Sequence, residues 1–302
     1  MPTPKHFNLG ILGCGQMGTA ILSGIVKKKS DAQSGTSEWE IKHVFVSVKS
    51  AASATQLREQ FAEHAAFITI FHGDNVAASE GSDVVILGFK HTYMGPILGA
   101  PGLRQALEGK TLISVLPGKS TQATLSAVVG EEVLGDGQEH SGITVVRTMP
   151  NLAAREGASM TIVAAATSES SQQAVNVTKW VLDHVGKTQE IPEAQFDLIG
   201  SLVGCSGAMF TIAIDGLLDA SVAGGLKRSE ALSMTTQSLL GLVRLLEQGS
   251  SPSNIREEVS SPGGSTIKSL MELERHGVRT AFSSALDVAG ERAREIGSKE
   301  EK

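Results

Sequence analysis

Short apolar runs alternate with stretches in which apolar residues recur every three or four positions over roughly the first two thirds of the chain. Residues 7–12, 44–48, 67–71, 83–89, 111–116, 144–147 and 159–165 read as strands, several of them rich in Val and Ile. Helical spacing follows the first run through Ile21, Leu22, Ile25 and Val26, and recurs over 51–63 and 170–185. This alternation predicts an α/β fold with a mostly parallel sheet covered on both faces. After about residue 190 the texture changes. Residues 196–246 and 266–296 carry long helical periodicity with small residues interleaved, and a Ser- and Gly-containing break over 247–261 separates them. The pattern predicts a sheet domain over 1–190 and an all-helical domain over 191–302. Two polar segments, 30–40 and 131–142, read as exposed insertions.

The first strand ends in Gly13-Cys14-Gly15-Gln16-Met17-Gly18 and the first helix begins there. Gly-x-Gly-x-x-Gly between a strand and a helix is the dinucleotide fingerprint of a Rossmann-type unit. The first glycine permits the turn, the second admits a pyrophosphate and the third lets helix pack on strand. The helix amino terminus adds free N–H groups and the positive dipole end. Gly13, Gly15, Gln16, Met17 and Gly18 are therefore candidate cofactor residues. At the end of the second strand, where a carboxylate would hold the ribose of NADH, the chain has Ser47, Val48, Lys49 and Ser50. A hydroxyl and an ammonium there favour the 2′-phosphate of NADPH over NADH. A solvated surface lysine is the plainer reading of Lys49. Lys90 ends the strongest buried strand, on the side where such sheets bind ligands. His91 beside it has no acid or cysteine at triad or metal spacing, and no metal is expected.

The chain has 302 residues, 41% of them hydrophobic and 4% aromatic, with 33 glycines and a formal net charge of -6. That balance carries no basic footprint for nucleic acid. Lys27, Lys28 and Lys29 read as a solvated helix end. Two cysteines, Cys14 and Cys205, suit a reducing compartment and small packing positions, not a disulfide framework. No apolar run approaches the roughly 20 residues that span a bilayer, and residues 1–8 are too short for a leader peptide. A soluble, cytoplasmic protein is expected. Between 208 and 246 apolar residues such as Phe210, Ile212, Ile214, Leu217, Leu239 and Leu242 occupy more than one helix face, which predicts burial in an intertwined homodimer.

Near residue 260 the chain reads Val259-Ser260-Ser261-Pro262-Gly263-Gly264-Ser265-Thr266. Two glycines before a helix leave main-chain N–H groups open to an anion. A plain helix start, with Ser as N-cap and Pro in the first turn, fits the same residues. Taken with 9–18 and with Arg147-Thr148-Met149-Pro150-Asn151, this segment resembles the pyrroline-5-carboxylate reductase family over nearly the whole chain. The Ser-Pro-Gly-Gly stretch is the specific part. The resemblance implies NAD(P)H-dependent reduction of 1-pyrroline-5-carboxylate to L-proline, the last step of proline biosynthesis. It implies substrate binding by Val259, Ser261, Gly263, Gly264, Ser265 and Thr266, with Ser261 and Thr266 in the reaction and Thr266 at the ring nitrogen. It places Met149, Pro150 and Asn151 by the nicotinamide, although a structural strand-to-turn role fits these three as well. It also implies a homodimer or a decamer of five dimers. The chain departs from the family's Gly-Ser-Gly-Pro-Ala at Gly204-Cys205-Ser206-Gly207-Ala208. The alternatives are a related imine or β-hydroxyacid dehydrogenase and a non-catalytic NADP(H) sensor. The former usually carries a catalytic lysine on the first long helix of the second domain, and residues 196–218 contain none.

Overall fold

The computed structural model describes residues 5–30, 38–130 and 142–299. Most of the two polar insertions lies outside them. The chain forms two compact units, Met1–Gly204 with Gly290–Lys302, and Cys205–Ala289.

In the larger unit, eight strands form one sheet: β1 (His6–Leu12), β2 (Glu40–Val48), β3 (Ile68–His72), β4 (Val84–Leu87), β5 (Thr111–Ser114), β6 (Thr144–Met149), β7 (Ser159–Ala164) and β8 (Gly186–Ile191). Their order is β3-β2-β1-β4-β5-β6-β7-β8. All neighbours are parallel except β6 and β7. The chain reverses direction across the sheet between β1 and β4, so a crevice opens beyond their carboxyl ends. Strand parity divides the core. On β4, Val84 and Ile86 join one apolar cluster with Ile21, Leu22 and Ile25 of α1 (Gln16–Ser30), while Val85 and Leu87 join the cluster on the opposite face. That is the two-sided burial the Val- and Ile-rich runs predict.

Three features differ from the sequence pattern. β8 was not legible. It is a polar edge strand, Gly-Lys-Thr-Gln-Glu-Ile, with half-buried and exposed residues alternating, and only three residues separate it from a helix, α7 (Glu169–Leu182). The helical run 196–246 is two helices, α8 (Phe196–Ala223) and α9 (Arg228–Glu247), separated at Gly225 with φ 97°. The break over 247–261 holds a further short helix, α10 (Pro252–Glu258), before α11 (Ser265–Arg275) and α12 (Val278–Lys299).

A fourth difference concerns hydropathy. Glu193–Ala223 has a mean hydropathy of 1.6 and is long and apolar enough to cross a membrane. The expectation that no such run exists is corrected. Gly and Ser interrupt the apolar residues, yet no charge falls between Asp197 and Asp215. Within the smaller unit, Phe210, Ile212 and Leu217 of this helix are exposed, as are Leu240 and Val243 of α9. Surface of this kind calls for a covering partner.

His184 follows α7. Its Nδ1 lies 2.9 Å from the Trp180 carbonyl, and its ring stands edge-on to Trp180 at 4.8 Å. Burial holds its pKa below the ordinary 6.5. The unfolded chain therefore takes up a proton first, and stability falls as pH drops from about 6.5 toward the folded value. His184→Gln is expected to lose less urea resistance than the parent between about pH 7.5 and pH 5. Equal losses would refute this cause.

Candidate functional site

The glycine loop closes the carboxyl end of β1. Gly13 has φ 88°, and a Cβ there would lie 2.5 Å from the backbone N of Phe89. A Cβ on Gly88 would lie 2.5 Å from the Gly13 carbonyl, so the ends of β1 and β4 touch. Gly18 is tight as well, with its Cβ position 2.8 Å from that same carbonyl. Gly15 is the opposite case, exposed and with nothing within 4 Å of its Cβ position. Two glycines pack protein on protein, and the middle one leaves open space at the amino end of α1. Gln16, Met17 and Gly18 form the first turn, where amides have no acceptor within the helix. This cradle fits a pyrophosphate.

At the end of β2 the candidates separate. Ser47 is 1% exposed. Its carbonyl accepts from the Gly13 N–H at 2.8 Å, and its hydroxyl, shut off from solvent, has no partner among the described residues. A surface phosphate does not reach that hydroxyl, which corrects its expected part in holding the 2′-phosphate. Lys49 and Ser50 are exposed. Ser50 is the N-cap of α2 (Ala51–Gln60): its Oγ accepts from the Ser53 N–H at 3.1 Å and donates to Ser53 Oγ at 2.9 Å. The Lys49 ammonium sits 4.5 Å from the ring centroid of Tyr93, a contact the sequence did not reveal. Lys90, exposed, precedes the short turn His91–Tyr93 that ends on this ring.

Arg147 and Met149 of β6 and Asn151 just beyond it occupy alternate positions, and all three engage the segment Glu193–Gly204 that leads into and opens α8. The Arg147 guanidinium bonds Asp197 at 2.8 Å, lies 3.7 Å from Glu193 and stacks 4.0 Å over the Phe196 ring. Thr121 at the start of α6 (Thr121–Val129) donates to the same Glu193 carboxylate. A Cβ on Gly200 would lie 2.9 Å from the Met149 sulfur, and one on Gly204 would lie 2.8 Å from its methyl carbon. Asn151 Nδ2 donates to the Val203 carbonyl at 3.3 Å, and its Oδ1 accepts from the Ala153 N–H. Pro150 is buried. The structural alternative left open for Met149 and Asn151 is thus the one their contacts occupy. The sequence motif gives no sign of this role for Arg147, because its acids lie some 50 residues further on. Lys119, in the loop after β5, also went unremarked. It is buried, and burial pushes its ammonium pKa below 10.5.

In the smaller unit, α11 begins at Ser265 with Gly264 as N-cap and no side chain capping it. Ser261 is not the cap. Its carbonyl accepts from the Gly264 N–H at 3.0 Å, closing a turn through Gly263 at φ 73°. A Cβ on Gly264 would lie 2.5 Å from Ser261 Oγ. Ser261, Gly263 and Ser265 are exposed, Gly264 and Thr266 half-buried, and Val259 is exposed at the carboxyl end of α10. The plain Ser-capped start is therefore not what forms. The first-turn amides of α11 stand without a side-chain acceptor beside two hydroxyls. Gly207 lies within α8, and the helix runs through it unbroken. Cys14 and Cys205 are free thiols. Burial pushes the Cys14 pKa up to about 11, which suits a packing role. No cluster of metal-ligating side chains occurs among the described residues.

The pyrroline-5-carboxylate reductase of Lophium arboricola is 32% identical to this chain over 304 residues, covering 97% of this chain and 94% of that protein. The chain belongs to the pyrroline-5-carboxylate reductase family. A family model described as pyrroline-5-carboxylate reductase dimerisation matches residues 193–296, including the exposed apolar helices. One described as NADP oxidoreductase, coenzyme F420-dependent, matches residues 8–118, including the glycine loop. The crystal structure of 1-pyrroline-5-carboxylate reductase from Streptococcus pyogenes matches with a TM-score of 0.76 at 27% identity, covering 97% of this chain and all of that one. The fold is also shared with the Plasmodium falciparum pyrroline carboxylate reductase with NADP bound, at a TM-score of 0.75 and 22% identity over 96% and 98% of the two chains. The resemblance read from Ser-Pro-Gly-Gly and the Met-Pro-Asn strand is a family membership.

Proposed function

We propose that this protein reduces 1-pyrroline-5-carboxylate to L-proline with NADPH. The observation that carries the reading is the start of α11. There a glycine turn presents uncapped amides beside the Ser261 and Thr266 hydroxyls, in a chain whose first strand ends in a dinucleotide loop. NADPH would supply a hydride to the imine carbon, and the ring nitrogen takes its proton from water, which leaves the secondary amine and NADP⁺. The open turn at Gly15 receives the pyrophosphate, and Lys49 receives the 2′-phosphate, the expected part of Ser50 giving way to its capping bonds with Ser53. Amides from Gly263 to Thr266, with the helix dipole, hold the ring carboxylate without an arginine. The Thr266 hydroxyl bonds the ring nitrogen and holds the proton there. The names and matched segments of the relatives support this reading, as does the NADP held by the Plasmodium protein. The exposed apolar helices support a homodimer; a ring of five such dimers and a cytoplasmic location are part of the proposal.

The test follows NADPH consumption with the cyclic imine and identifies the product by chiral amino-acid analysis. Imine-dependent oxidation yielding L-proline is expected. Folded, NADPH-binding protein that does not turn over the imine would overturn the proposal.

A further inference from the structure

At the end of β2 the charge that distinguishes the two cofactors rests on one long, exposed side chain, that of Lys49. Among the described residues at the end of β2, the Ser47 hydroxyl is sealed, the Ser50 hydroxyl is engaged with Ser53, and Lys49 makes no ion pair. A lysine ammonium on a four-carbon stem is poorly placed unless something holds it. Tyr93 does so here. Its ring face lies 4.5 Å from the ammonium while the ring is still 42% exposed. The main chain that carries the ring is anchored. The Tyr93 N–H donates to the Lys90 carbonyl at 2.9 Å, and the next residue, Met94, is buried in the core on that face of the sheet. The tether thus links the loop after β4 to the loop after β2, on either side of β1 and its glycine turn.

We propose that Tyr93 is a positioning residue that holds Lys49 toward the adenosine 2′-phosphate and thereby sets the preference for NADPH over NADH. The interaction is of ring face with ammonium and leaves the phosphate-facing hydrogens of the ammonium free. It rests on the reading of the protein as an NADPH-using reductase.

The readout is the ratio of kcat/KM with NADPH to that with NADH, which a general loss of folded protein leaves unaltered. Tyr93→Leu is expected to lower the ratio about threefold, and Tyr93→Phe, which keeps the ring, to retain it. Lys49→Met is expected to lower it about tenfold or more. In the Lys49→Met background, Tyr93→Leu then changes nothing further. The proposal fails if Tyr93→Leu leaves the ratio intact, if Tyr93→Phe falls as far as Leu, or if Tyr93→Leu acts equally without Lys49. Should neither cofactor support imine reduction, the proposed activity is lost, but calorimetric titration with 2′,5′-ADP against 5′-AMP reads the same preference. A 2′-phosphate preference that Tyr93→Leu leaves unchanged in that titration sinks the role of Tyr93 alone.

Discussion

Gly13→Ala is expected to destabilise the larger unit by about 3 kcal/mol, from left-handed strain plus overlap with the Phe89 backbone. Neither β1 nor β4 can give way cheaply, because each is hydrogen-bonded on both sides in the middle of the sheet. For a unit of this size the loss corresponds to a melting temperature lower by roughly 6–12 °C. Gly15→Ala separates folding from function. Nothing surrounds that Cβ position in the protein, so the melting temperature should hold within about 1 °C. The added methyl group stands where the pyrophosphate approaches, and NADPH affinity should fall at least about tenfold. Thermal melting with and without NADPH checks both. Equal loss of stability in the two variants would mean that Gly15 is a turn glycine and not an open face.

Thr266→Val is expected to lower kcat about tenfold to a hundredfold while leaving the fold intact, because it removes the hydroxyl assigned to the ring nitrogen and keeps the volume. Thr266 is half-buried in the first turn of α11, where its amide remains available to the carboxylate. NADPH KM should change little, and Thr266→Ser should recover most of the rate. Steady-state kinetics with the imine varied at saturating NADPH decides the matter. A kcat within twofold of the parent, with only KM raised, would make Thr266 a binding residue and leave protonation to water alone.

The parallel sheet, the glycine loop and the helical second half were legible because each is a local signal. Buried parallel strands such as Val84-Val85-Ile86-Leu87 are continuous apolar runs, and Gly13-x-Gly15-x-x-Gly18 has a fixed spacing. β8 was not legible, since a polar edge strand separated from a helix end by three residues carries no apolar pattern. The pairing of Arg147 with Glu193 and Asp197, and that of Lys49 with Tyr93, bring together residues about 45–50 positions apart. No periodicity announces such pairs. Ser47 shows a third kind of limit. It lies at the right place in the sequence, but the last three residues of β2 are buried on both faces of the sheet, and its hydroxyl is sealed inside. At the start of α11 the residues alone allow either an open amide tip or a Ser-capped turn, and only the main-chain path through Gly263 distinguishes them, with Gly264 as the N-cap.

The most direct test is a crystal structure with NADPH and a carboxylate-bearing proline analogue. The carboxylate should accept hydrogen bonds from main-chain amides within residues 263–266, with the analogue's ring heteroatom at the Thr266 hydroxyl. A carboxylate held by a lysine or arginine away from the amino end of α11 would contradict the account.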